Sequence, residues 1–103
     1  MIQGTEIELG GVKYTVAPMN FATLIKVTPL LKSFAALGNK QPNEEDFKNI
    51  VTIMQLAINR NHPEVTFDMV AESLDMVNMS EIMAKIMSTA GTVNKGEAQA
   101  GNP

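Results

Sequence analysis

FKNIVTIMQLAINRNHPEVTFDMVAESLD, residues 47–75, is the stretch whose reading decides the fold. Phe47, Ile50, Val51, Met54 and Ile58 recur at the three- and four-residue spacing of one helix face, and Ile53, Leu56 and Ala57 widen that face. A helix apolar on more than one side is contacted from more than one side, which makes it central. It should stop near Asn61, because Pro63 drives His62 towards an extended conformation and Asn tolerates left-handed geometry. Arg60 falls in the last turn, where a cation suits the helix dipole. Beyond the proline, Thr66 is placed as an N-cap, Asp68 lies in the first turn, and Phe67, Val70, Ala71 and Leu74 form a short stripe.

Working back from this stretch, Asn43 caps the long helix, and Glu44, Glu45 and Asp46 face its unpaired N–H groups. Residues 38–42 are a polar connector. Before it, Asn20 caps a helix carrying Phe21, Leu24, Ile25, Leu31 and Phe34. Pro29 interrupts that run. An interior proline removes a hydrogen bond and costs about 3 kcal/mol, so a kink or two abutting segments, 21–28 and 30–37, is expected, with Gly38 as the stop. Residues 6–16 alternate apolar and polar about Gly10-Gly11, a pair able to take the positive φ angles of a two-residue hairpin turn. The hairpin spans about residues 5–17. No helix opens after the glycine pair and no Lys-Ser or Lys-Thr follows, so a phosphate loop is excluded.

Working forward, the chain breaks at residues 76–78, and Asn78 with Glu81 three residues later has the spacing of a capping box. A last helix carries Met79, Ile82, Met83, Ile86 and Met87 and stops at Gly91. Residues 92–103 hold no apolar side chain larger than Val93 and are expected to be a disordered polar tail. The fold predicted is mainly α, an N-terminal two-stranded β-hairpin followed by a bundle of four or five helices. It forms one domain, residues 1–91, ahead of the tail.

A chain of 103 residues suffices for one core. It holds one tyrosine, four phenylalanines and no tryptophan, so aliphatic side chains and eight methionines must build that core. Without cysteine there is neither a disulfide nor a thiolate ligand. The N-terminus has no signal-peptide pattern and no apolar run reaches membrane-spanning length, so a cytoplasmic protein without membrane contact is expected. A net charge of -3, with basic residues scattered singly, gives no phosphate-neutralising stripe and argues against nucleic acid.

Catalytic groups are not assembled by the sequence. His62 is the only histidine and reads as a turn residue whose ring caps backbone groups or faces solvent; it has no partner at metal-ligand spacing. Glu44, Glu45 and Asp46 splay around a helix start that favours carboxylates anyway. No serine has a nucleophile-elbow setting, and neither an enzyme nor a cofactor or metal site is expected. One non-catalytic feature is Met69, Met76, Met79, Met83 and Met87, whose flexible side chains suit either irregular core gaps or an adaptable groove for a partner.

Three patterns in this order resemble the small tail assembly chaperones of tailed bacteriophages and prophages. They are IELGGVKYTVAPMNF at residues 7–21, LAINRNHPEVT at 56–66, and LDMVNM at 74–79 leading into Ile82, Met83 and Ile86. The likeness covers roughly residues 5–91. It implies a non-enzymatic protein of the bacterial host cytoplasm, made during virion morphogenesis. Such a chaperone binds the tape-measure protein and tail-tube subunits and is absent from the mature virion. A longer frameshifted form continuing from the polar tail and a homo-oligomer are both compatible with the resemblance.

Two alternatives compete. A permanent component of a phage tail or head-tail joint would keep the phage context and remain in the virion. A helix-turn-helix regulator would need a basic recognition helix, whereas residues 67–75 contain Asp68, Glu72 and Asp75 and no Lys or Arg.

Overall fold

The structure, a computed structural model, describes residues 2–89. Strands β1 (Thr5–Leu9) and β2 (Val12–Val16) pair antiparallel, with Thr5 opposite Val16 and Leu9 opposite Val12. Gly10 and Gly11 turn the chain at φ 58° and 80°, the two positive angles that a type I′ turn requires. One hairpin face carries Ile7, Leu9 and Val16 into the core, with Tyr14 half-buried beside them. A hairpin alone is marginal in water, and this one lies on helices.

Helix α1 (Phe21–Ala35) starts where Asn20 Oδ1 accepts the Thr23 N–H at 2.9 Å. It runs as one element through Pro29, so of the two expected forms, a kinked run or two abutting segments, the second does not occur. Pro29 sits on the exposed side, while Leu24 and Val27 before it and Leu30, Leu31 and Phe34 after it pack towards the core. Anchoring on both sides of the proline outweighs one missing hydrogen bond. A turn containing Gly38, at φ 56°, leads to α2.

Helix α2 (Glu44–Asn59) begins with a reciprocal capping box: Asp46 N–H donates to Asn43 Oδ1 at 2.9 Å and Asn43 N–H to Asp46 Oδ2 at 2.8 Å. It is the central element predicted, meeting α1, α3, β2 and α4 and burying Ile50, Val51, Ile53, Met54, Ala57 and Ile58. Helix α3 (Phe67–Ser73) is capped by Thr66 Oγ1, which accepts from Met69 N–H. Helix α4 (Met79–Thr89) closes the core with Ile82, Met83 and Ile86 and contacts β1 and α2.

The start of α4 differs from expectation. Asn78 does not cap Glu81's turn; its Oδ1 accepts from Asp75 N–H and its Nδ2 donates to the Ser73 carbonyl. Asp75 takes the capping part instead, its Oδ1 accepting from the N–H groups of Val77 and Asn78 at 2.8 Å each. Asp75 stands one turn earlier, in place to cap the turn at 76–78, and Asn78 closes the α3–α4 connection. The expected stop at Gly91 and the tail at 92–103 lie outside the described residues. Among the described residues the fold is therefore a two-stranded hairpin followed by four helices.

Candidate functional site

The turn after α2 adds side-chain hydrogen bonds to three backbone ones, from Asn61 and His62 N–H to the Ile58 carbonyl and from Val65 N–H to the His62 carbonyl. Asn59 Nδ2 donates to the carbonyls of His62 and Val65, closing the turn on itself. Asn61 reaches the N-terminal segment: Nδ2 donates to the carbonyls of Ile2 (2.6 Å) and Thr15 (3.0 Å), and Oδ1 accepts from Ile2 N–H (2.9 Å). Arg60 Nη1 donates to the Pro18 carbonyl at 2.6 Å. His62 Nε2 accepts from Thr15 N–H at 3.2 Å, so that nitrogen is the unprotonated one; its ring stands edge-on to Tyr14, centroids 5.0 Å apart. Both backbone groups of Thr15 thus point outward from the β-ladder and are met by Asn61 and His62. The turn acts as a substitute third strand that covers the free edge of β2.

His62 is accordingly a backbone-capping turn residue. Its Nδ1 lies 3.6 Å from Glu64 Oε2, and no second histidine or cysteine exists to complete a metal site. Among the described residues no group of three or more His, Cys, Asp or Glu is placed to hold a metal ion. Nor is any helix there long and apolar enough to cross a membrane.

A different kind of site lies on the other side of α2. A groove of about 370 Å³ opens between the first half of α2, the length of α3 and the start of α4. Phe47, Ile50 and Val51 form one wall, Phe67, Ala71 and Leu74 another, and Met76 and Met79 close the end. Glu44, Lys48 and Asp75 stand at the rim, and Lys48 Nζ is held 3.2 Å from Glu44 Oε2 one helical turn back. Asp75 therefore leaves the rim net negative.

The five methionines divide. Met76, 61% exposed, and half-buried Met79 line the groove. Met83, 7% exposed, belongs to the core, and half-buried Met87 packs against that core. Met69 lies apart, beside a shallower concavity with Leu9, Val12 and Tyr14. Met83 points inward because α4 turns its Ile82, Met83 and Ile86 face to β1 and α2. The sequence leaves the five open between core gaps and one adaptable groove, and the structure divides them between the two.

Sequence reasoning missed the contribution of Phe47, which it placed in the core. Phe47 is 45% exposed, because α3 ends and the chain turns away before covering the first turn of α2. It missed a second feature altogether. Phe21, 82% exposed, and Ile25, 74% exposed, stand on the outer side of α1 with Thr28 and Pro29, around a shallow apolar hollow. They had been assigned to the same stripe as Leu24, Leu31 and Phe34, which do face inward. Phe21 and Ile25 lie roughly 100° away from that stripe at about 100° per residue, which separates the two faces.

No protein-family model, curated protein or solved structure matches the chain.

Proposed function

We propose that this protein is a non-enzymatic tail assembly chaperone of a tailed phage or prophage. In this reading it holds helical segments of the tape-measure protein before tail-tube subunits cover them. One observation supports it most: an open groove, lined by aromatic and methionine side chains with Phe47 and Met76 exposed, on a helical framework. A long helical protein with uncovered apolar stripes aggregates unless those stripes are masked. A groove wide enough for a row of side chains, closed by adaptable methionines, accepts such stripes without demanding one sequence. Of the three patterns that carry the resemblance, the hairpin and the turn at 59–63 belong to the frame, while Leu74, Asp75, Met76 and Met79 of the third line the groove.

Because tube subunits must displace the chaperone, each contact is expected to be weak, about -8 kcal/mol or micromolar, with avidity from repeated sites. Co-expression with the tape-measure protein encoded beside it tests the reading. A soluble co-purifying complex, lost in Phe47→Ser with Met76→Ser, is the expected result; unchanged solubility and no complex would end it. Mass spectrometry of purified virions separates the chaperone from a permanent tail or head-tail component, since only the latter remains in the particle.

A further inference from the structure

We infer that the outer face of α1 is a second docking surface, and that its occupant is an amphipathic helix of another protein whose apolar row is flanked by carboxylates. Phe21, Ile25 and Pro29 follow one another at four-residue steps, and a row at that spacing forms the ridge that interdigitates with a partner helix. Phe21 and Ile25 are the most exposed apolar side chains of the described helices, and the hollow between them, Leu24 and Thr28 contains no charged group. A ridge beside an uncharged hollow is what a second helix can engage.

Charge decides the partner. The chain carries a net charge of -3, yet α1 has no carboxylate, while α2 has three in its first turn and α3 and α4 one each. Its charged residues are Lys26 and Lys32. At about 100° per residue Lys32 falls between Phe21 and Ile25 in angle, so it ends the apolar row about 16 Å along the axis from Phe21. Lys26 flanks the row, and both lysines are exposed and make no ion pair among the described contacts. An apolar row bounded by lysines, at a helix start whose N–H groups already favour negative charge, selects carboxylates at the edges of its partner. The groove has the opposite character, with Asp75 leaving its rim negative, so the two faces select differently charged partners. This inference stands independently of the chaperone reading.

The test uses the full chain and two designed helical peptides of about four turns with the same Leu and Phe row. One is flanked by Glu and the other by Lys. The Glu-flanked peptide is expected to bind about tenfold tighter at low salt, with the advantage shrinking as salt screens it. Amide shifts should centre on Phe21, Ile25 and Lys32. Those shifts should vanish in Ile25→Glu, persist in Ile25→Leu and stay unchanged in Met76→Glu, which separates this face from peptide held in the groove. Lys26→Glu with Lys32→Glu should reverse the peptide preference, an outcome no folding defect produces. Equal affinity for both peptides, no binding, or loss through Met76→Glu and not Ile25→Glu overturns the inference. So does concentration-dependent self-association that Ile25→Glu dissolves, which would make a second copy of the chain the occupant.

Discussion

Replacing Asn61 with alanine tests whether the turn after α2 fastens the hairpin to the helices. The amide makes three hydrogen bonds, two to the backbone of Ile2 and one to the carbonyl of Thr15. A hydrogen bond contributes about 0.5–1.5 kcal/mol net, and the Ile2 pair sits at an exposed position where water competes. The Thr15 bond is part-buried, so its loss also leaves a carbonyl poorly solvated. Together these give about 2 kcal/mol of lost stability, a large share of the 5–15 kcal/mol typical of a domain. For a chain of this size that lowers Tm by about 8–15 °C. Asn61→Asp sharpens the test. The carboxylate keeps the acceptor for Ile2 N–H but turns an oxygen towards two carbonyls, so it should destabilise at least as much as alanine despite equal size. Urea titration followed by far-UV circular dichroism measures both variants, and amide exchange should accelerate first at Thr15 and its β2 neighbours. A change under about 0.5 kcal/mol for alanine, or wild-type stability for aspartate, would refute the fastening role.

Further outcomes follow from other contacts. A Cβ on Gly4 would lie 1.9 Å from the Val16 carbonyl oxygen, a rigid backbone atom, so Gly4→Ala should cost about 1–3 kcal/mol by forcing residues 2–4 off the hairpin; thermal melting with amide exchange at Val16 measures it. Pro29→Ala should instead stabilise, by about 1–3 kcal/mol, because Pro29 is exposed in a helix that continues past it and alanine restores the N–H that can donate to the Ile25 carbonyl; a calorimetric Tm at or below wild type would count against this. Phe47→Ser with Met76→Ser should cost about 1–2 kcal/mol, since Phe47 is 45% and Met76 61% exposed and only their covered parts are lost, while weakening capture of apolar helical segments at least tenfold in a titration.

The parts legible in the sequence are those set by local chemistry. Asn20, Asn43 and Thr66 cap the helices expected of them because a side-chain oxygen one residue before a helix has few better partners than the N–H groups in front of it. Gly10-Gly11 turns the hairpin for an equally local reason. Failures occur where two answers are locally equivalent and tertiary packing chooses. Asp75 and Asn78 are both capable caps, and the shape of the α3–α4 connection selects Asp75. Phe21 and Leu24 both belong to an apolar helix, and only the position of α2 determines that Leu24 turns inward and Phe21 outward. The groove was half legible for the same reason. Periodicity finds the Met row, but whether Met83 or Met76 faces solvent depends on where β1 lies across α4.

The distribution of polar contacts explains how one small domain can hold both a fixed and an adaptable end. No polar side chain among the described residues is fully buried, and apart from the Thr5–Ser88 hydroxyl pair the polar side chains that bond distant segments are Arg60, Asn61 and His62. Directional bonds to Ile2, Thr15 and Pro18 specify one placement of the hairpin against α2, because each donor must meet a particular carbonyl. Around the groove no such bonds tie α3 to α2; Phe67, Ala71 and Leu74 meet Phe47, Ile50 and Val51 through nondirectional apolar contact. Fully buried Val70 anchors α3 in the core, and Gln55 and Asn59 hold the Val65 carbonyl just ahead of it. Thr66 caps its start, and at its end the Ser73 carbonyl accepts from Asn78 Nδ2. If the groove holds and releases a partner as proposed, nondirectional contacts suit it, because methionine and phenylalanine contacts there can be exchanged without breaking the bonds that fix the hairpin.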